Sequence, residues 1–160
     1  MSGSVTVRPV EASDQGAIGR LGALLVTEHH GFDPQRFIAP TPGLSERYGE
    51  FLLSQGARAE MVVLVAEQSG EVVGYAYAGM EGNDYMALRG PAGVLYDLVV
   101  DPRHRRQGIG NQLLDASLAA LERLGAPRVL LFTAEKNHGA QAMFARAGFR
   151  ATMIEMTREL

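Results

Sequence analysis

The sequence contains no cysteine. Its absence excludes disulfides, thiolate metal sites and a cysteine nucleophile. Long apolar runs are missing too. The longest, Met61 to Ala66, is far too short to span a bilayer, and the N-terminus lacks the charged and apolar regions of a signal peptide. There is no excess of positive charge. A formal net charge of −3 gives no general attraction to nucleic acid or to an anionic membrane. No internal repeat, low-complexity tract or linker breaks the chain. At 160 residues, 46% of them hydrophobic, the chain can bury a proper core and is short for two domains, so a single domain over residues 1–160 is expected. Cytoplasmic localisation is the default for such a composition.

What is present centres on Leu95 to Gly125. Leu95, Leu98, Val99 and Val100 read as a buried strand that Asp101-Pro102 must end, because proline has no N–H for the ladder. A basic, glycine-punctuated loop follows, from Arg103 to Gly110. Ile109, Leu113, Leu114, Leu118, Leu121 and Leu124 then recur at helical spacing. Strand, glycine loop and helix have the layout of an anion site, although two glycines and a few arginines would also make an ordinary solvated αβ loop. The first helical turn has free N–H groups and partial positive charge. Gly108 and Gly110 leave room for a pyrophosphate to approach, and Arg105 and Arg106 add cationic donors.

The remaining elements follow from pattern. Val5, Val7 and Val10 mark a first strand. Ser13-Asp14 is a helix cap, and Ile18, Leu21, Leu24 and Leu25 form the stripe of a helix up to about Val26. Breakers from His29 to Gly43 predict a loop, and Ser45 to Ser54 a second helix with Leu44, Tyr48, Phe51 and Leu52 inward. Strands are predicted over Met61–Glu67, Val72–Met80 and Arg128–Thr133, a short helix over His138–Ala147, and a last strand over Phe149–Thr157. Helices on both faces of a mixed sheet give an α/β or α+β fold.

Two segments carry a family resemblance. Arg105-Arg106-Gln107-Gly108-Ile109-Gly110 resembles the R/Q-x-x-G-x-G/A signature of the GNAT superfamily of N-acetyltransferases, following a strand that ends Val99-Val100-Asp101-Pro102. Asn137 to Phe149 resembles that superfamily's N-x-x-A-x-x-hydrophobic-Tyr-x-x-x-G-F segment. The resemblance implies a mixed, mostly antiparallel sheet of about six to seven strands flanked by about four helices. It also implies acetyl-CoA as acyl donor and no metal. The acceptor would be a small-molecule or peptide amine, with neither nucleic acid nor membrane as partner. Homodimers are common in the family, although no surface in the sequence marks one.

It further implies that the pyrophosphate meets backbone N–H groups over Arg106, Gln107, Gly108, Ile109, Gly110 and Asn111, with Arg105 close by. The pantetheine arm would run beside Leu98, Val99 and Val100, whose N–H groups near Val99 could stabilise an oxyanion. Asn137 would position that arm or the adjoining backbone. Phe144 occupies the position that often holds a tyrosine proposed to protonate the departing thiolate. That departure motivates the alternative of an acyl-CoA-binding or sensing domain with little turnover, and His138 is near enough in sequence to be considered as a substitute acid. A nucleotide-binding α/β protein ranks lower, because the loop lacks both the Gly-Lys-Ser/Thr ending and the G-x-G-x-x-G spacing.

An amine acceptor needs a base. Asp97, in the strand, and Glu81, ending the preceding one, are the candidates; capping or pairing within the sheet would also explain Asp97, and a solvated strand-end charge Glu81. His29, His30, Phe37, Tyr77 and Tyr85 could line the acceptor pocket, with Asp33 and Tyr48 beside them. Each also has an ordinary reading as core, cross-strand or loop residue. The His-His pair has no second ligand cluster to suggest metal.

Overall fold

The computed structural model describes residues 3–160. Its elements in chain order are β1 (Val5–Pro9), α1 (Gln15–Phe32), α2 (Leu44–Gly56), β2 (Met61–Gln68), β3 (Glu71–Glu81), β4 (Ala92–Val100), α3 (Ile109–Arg123), β5 (Val129–Leu131) and α4 (His138–Arg146). The strands form one sheet in the order β1-β2-β3-β4-β5. The first four are antiparallel neighbours, and β5 runs parallel to β4.

Each face of the sheet has its own core. Ile18 and Leu21 of α1 and Leu52 of α2 pack on Val63, Val65, Tyr75, Tyr77 and Val99. Ile109, Leu113, Leu114 and Leu121 of α3, with Phe144 of α4, pack on Ala66, Val73, Ala76 and Leu95. The split follows from strand alternation, which sends successive side chains to opposite faces. The helices α1 and α2 cross closely because both are glycine there: a Cβ on Gly49 would meet the Gln15 carbonyl at 2.5 Å. A Cβ on Gly22 would overlap the Tyr48 ring. That missing methyl is what lets Tyr48 reach across α1 toward β4.

Several expectations are corrected. Among the described residues the sheet has five strands rather than about six to seven, and the strand expected over Phe149–Thr157 does not form. Gly148, at φ +93°, turns the chain out of α4. The segment beyond has the right alternation but pairs with none of the described strands. Helix α1 does not stop near Val26. It continues through His29, His30 and Gly31, because the His29 ring bonds back to the Leu25 carbonyl (2.9 Å) and packs edge-on against Phe32 and Phe37. This tertiary packing overrides the cost of about 1 kcal/mol for a helical glycine. Asp14 does not cap α1 with its side chain. It accepts from Arg8 at 2.8 and 3.0 Å and from the Glu11 N–H instead. Phe51, expected inward, is 46% exposed.

Candidate functional site

Strand β4 has two different lengths of partner. β3 follows it to Val100, whereas β5 pairs with it only over Gly93–Leu95. Beyond Leu95 the parallel strands part, leaving β4 from Tyr96 to Val100 with a free side. The gap opens into a cleft of about 1000 Å³. The second half of α1 borders it, and the starts of α3 and α4 reach it from the other face. Leu98, Val99 and Val100 line it. The main-chain groups on that side of β4 are open for an extended ligand, apart from the Val100 carbonyl, which accepts from Arg105 Nε at 3.1 Å.

One end of the cleft is the loop before α3. Asp101 accepts from the Arg103 N–H and guanidinium, which, with Arg20, hold its carboxyl well below the usual carboxylate range. Pro102 starts a short 3₁₀ turn. Arg106 and Gly108 both adopt positive φ, +63° and +78°. These left-handed residues turn the chain tightly into α3, which has no side-chain cap. The first N–H bonded within that turn is Gln112, to the Gly108 carbonyl at 3.1 Å. The N–H groups of Ile109, Gly110 and Asn111 therefore face the cleft at the positive end of the helix. The two glycines serve different needs. A Cβ on Gly108 would meet nothing within 4 Å, so its backbone angle requires the glycine; at Gly110 a Cβ would press on Met143 at 3.3 Å, where α3 crosses α4.

Arg105 and Arg106 also line the cleft, but Arg105 is already engaged. Its guanidinium bonds Glu28 of α1 at 2.6 Å, tying the loop to the opposite wall. Gln107 is not on the cleft; its side chain turns to Gln68, from which it accepts at 3.3 Å.

Asp97 marks the other end, and a bulge puts it there. Tyr77 pairs with Asp97 and Ala78 with Leu95, so Tyr96 is one residue too many. Leu95 points into the α3 core, and two residues later Asp97 points to the α1–α2 side. Asp97 is buried, 9% exposed. Both Tyr48 and Tyr75 donate to its Oδ2, at 2.7 and 2.8 Å. Burial pushes the Asp97 pKa up, while the two hydroxyls and nearby His29 oppose that shift. Burial and the same carboxylate push the Tyr48 and Tyr75 hydroxyls well above their usual value. None of the described residues donates to Oδ1, and Asp97 lines the cleft. The arrangement suits proton acceptance: a carboxylate fixed through one oxygen with the other available. Tyr75 carried no signal in the sequence beyond being an aromatic in a strand. Its tie to Asp97 is diagonal across β3 and β4, since Tyr75 pairs with Val99.

The other expected residues divide. His29 and Phe37 line the cleft from the α1 side, Asn137 and Phe144 from the α4 side. Asn137 caps α4, accepting from the Ala140 N–H at 3.2 Å. Phe144 is 9% exposed and packs edge-on against Phe149. Four expected residues stand away. Glu81 pairs with Arg89 at 3.3 Å. His30 bonds the Phe37 carbonyl. Tyr77 is buried and donates to Gln55, and Tyr85 lies on the β3–β4 loop, 79% exposed. In each case sequence proximity to β3, β4 or α1 suggested a role that side-chain direction does not support. Residues the sequence reading passed over, Glu28, Phe32, Tyr96 and Arg146, line the cleft instead. Among the described residues there is no group of His, Asp or Glu that could hold a metal ion, and no helix long and apolar enough to cross a membrane.

Comparison with known proteins gives a consistent picture. Residues 26–149 match the family model described as the Acetyltransferase (GNAT) family. A mycothiol acetyltransferase from Thermobispora bispora is 33% identical over 96 residues, 58% of this chain and 31% of that protein. Another, from a Nocardioides species, is 28% identical over 150 residues, 91% of this chain and 50% of that one. The chain thus spans half or less of the length of these curated relatives. Among solved structures, an aminoglycoside N-acetyltransferase in complex with CoA superposes with a TM-score of 0.73 at 17% identity, covering 100% of this chain and 96% of that one. A GCN5-related N-acetyltransferase from Ralstonia eutropha gives 0.72 at 22%, covering 98% and 99%. At those identities the likeness is one of fold.

Proposed function

The chain belongs to the GNAT acetyltransferase family, and from that membership we propose that it moves an acetyl group from acetyl-CoA to a primary amine by direct attack in a ternary complex. The observation that carries the reading is the cleft itself: the parting of β4 from β5 leads from an uncapped helix start at one end to Asp97 at the other. In this reading residues 1–160 work as one domain, with two cores sharing one sheet.

The donor's pyrophosphate rests on the N–H groups from Arg106 to Asn111, and its arm follows the free side of Leu98 to Val100. The acceptor enters from the α1 side, beside His29 and Phe37. A lysine-like amine, with pKa about 10.4, costs roughly 4–5 kcal/mol to deprotonate at pH 7. Asp97 Oδ1 removes that proton, directly or through one water. The nitrogen lone pair attacks the thioester carbonyl, the carbonyl electrons move to oxygen, and backbone N–H groups near Val99 stabilise that charge. Collapse expels CoA thiolate, and the second proton that the nitrogen carries after attack passes to solvent. Its conjugate thiol has a pKa of about 8.5, so it leaves without a dedicated acid and takes its proton from water, Phe144 having none to give. No covalent enzyme intermediate is needed.

Titration with acetyl-CoA, CoA and ATP tests the donor site. Both CoA species are expected to bind and ATP not, and failure of all three in a folded sample overturns the reading. An acceptor panel beginning with mycothiol-class and aminoglycoside amines, the classes in the names of similar proteins, then follows release of thiol. Phe144 favours a second reading, in which acyl-CoA is held with little turnover. That reading predicts binding of CoA with no thiol release from any amine in the panel.

A further inference from the structure

Helix α1 brings a second proton acceptor to the cleft that holds Asp97. His29 and Phe32 in its last turn, with Phe37 just beyond, make one cluster. The ring centroids are 5.6 Å apart for His29 and Phe32 and 5.1 Å for His29 and Phe37, both pairs edge-on. The histidine is half-buried and lines the cleft with both phenylalanines. Its Nδ1 lies 2.9 Å from the Leu25 carbonyl, one helical turn back. A carbonyl only accepts, so Nδ1 carries the hydrogen and the neutral ring keeps its lone pair at Nε2.

That atom is open. Nε2 has no hydrogen-bond partner among the described residues, yet the only buried side-chain nitrogen or oxygen without a partner there is Nδ1 of His104. Nε2 is therefore reached from solvent, on a ring that lines the cleft. Oδ1 of Asp97 meets the same two conditions. His29 is also near enough to Asp97 for its charge to oppose the upward shift of that carboxyl. Of the other charges around His29, Glu28 is tied to Arg105 and the Arg36 guanidinium lies 4.9 Å from the centre of the Phe37 ring. One anionic and one neutral proton acceptor thus share a single cleft.

The transfer reaction has use for both. A primary ammonium must lose one proton before its nitrogen can attack, and Asp97 then holds that proton. After attack the nitrogen still carries one proton too many. While it does, the tetrahedral intermediate can break down backwards, because the attacking group leaves as a neutral amine. Loss of the second proton closes that route: an amine anion is a far poorer leaving group than a thiolate, whose conjugate thiol has a pKa of about 8.5. We propose that His29 Nε2 takes this second proton, an inference that rests on the transferase reading. The N–H bond breaks, its electron pair stays on nitrogen, the ring becomes cationic, and the oxyanion collapses with expulsion of thiolate. The imidazolium and the Asp97 carboxyl then each release a proton to solvent, so both groups return to their starting forms and two protons leave per amide made.

His29→Asn is the discriminating variant. Its amide N–H can still donate to the Leu25 carbonyl from about the place of Nδ1, and it has no basic nitrogen. Turnover, followed as thiol release, should fall about 10²-fold while the acetyl-CoA dissociation constant keeps its wild-type value. His29→Ala, which leaves a gap beside Phe32 and Phe37, should regain rate on addition of imidazole, in proportion to the free base. A wild-type rate in His29→Asn, or a loss in His29→Ala that no concentration of imidazole relieves, would overturn the proposal. Nitrogen-15 shifts of the His29 ring, read in the free protein in mildly alkaline solution, should place the hydrogen on Nδ1. A hydrogen found on Nε2, alone or beside one on Nδ1, would overturn it with no substrate present. A wild-type protein that binds no CoA species fails the transferase reading and takes this inference with it, whereas a wild-type rate in His29→Asn strikes His29 alone.

Discussion

At the α3 end of the cleft a ligand would meet main chain; at the Asp97 end it would meet side chains. The first end consists of three free N–H groups, two left-handed residues and exposed arginines, all within one stretch of loop. The second brings Tyr48 of α2, Tyr75 of β3 and Asp97 of β4 together in a buried cluster. Main-chain recognition tolerates changes of side chain but not of backbone angle, whereas a buried polar cluster does not tolerate loss of a hydrogen-bonding partner. The two aspartates near these ends show the contrast in their protonation. Burial raises the pKa of Asp97, and arginines lower that of Asp101, four residues on.

The sharpest break is Asp97→Asn. It should lower turnover by about 10²–10⁴-fold with the acetyl-CoA dissociation constant unchanged, as checked by steady-state kinetics beside calorimetric titration. A carboxyl whose native pKa lies above its unfolded value holds its proton more firmly when folded. Its contribution to stability is greatest at low pH and falls as pH rises from the ordinary 3.8 through the raised value. At pH 7 it is a net cost, so the Asn variant should melt at or above the wild-type temperature. Asp101 has the opposite sign: its contribution is fully present above 3.8 and is lost as pH falls below it.

Gly108→Val should come next, and at the other end. Forcing a β-branched residue into φ +78° costs about 1–2 kcal/mol, and relaxation of the loop to escape it would misdirect the N–H groups. Affinity for CoA should fall about tenfold, with no change in the pH profile of any remaining turnover. Tyr75→Phe should lower turnover modestly, through loss of one hydrogen bond worth about 1 kcal/mol. Because Tyr75 opposes the upward shift of Asp97, the acid limb of the pH–rate profile should move to higher pH. An unmoved limb would mean that Asp97 is not the titrating base. Arg105→Ala should have the smallest cost, about 1 kcal/mol in CoA binding, because Arg105 must leave Glu28 before it can serve a phosphate. Glu28→Gln, which releases it, should tighten CoA by less than about 1 kcal/mol.

The same contrast explains what the sequence revealed. The α3 end was legible because its chemistry is local: a proline-ended strand, two glycines and a helix stripe stand in consecutive order from Leu95 to Leu121. The Asp97 end was legible in one residue only. Tyr75 and Tyr48 meet Asp97 through a diagonal across β3 and through the gap at Gly22, and no spacing along the chain announces either. Glu81 and Tyr77 were also candidates by position, and their polar atoms engage Arg89 and Gln55 instead. The strand expected over Phe149–Thr157 was wrong: alternation alone suggested it, and alternation names no partner strand.

The extra residue in β4 makes the site a matter of counting as much as of chemistry. Side chains along a strand alternate like even and odd numbers, and Tyr96 shifts that parity between Leu95 and Asp97. A strand of the same length without the bulge would keep every residue the reaction calls for and aim the carboxylate among the leucines of α3. Deletion of Tyr96 would instead restore regular alternation with Asp97 still on the cleft side, and substitutions of Tyr96 that keep the bulge would leave it there too.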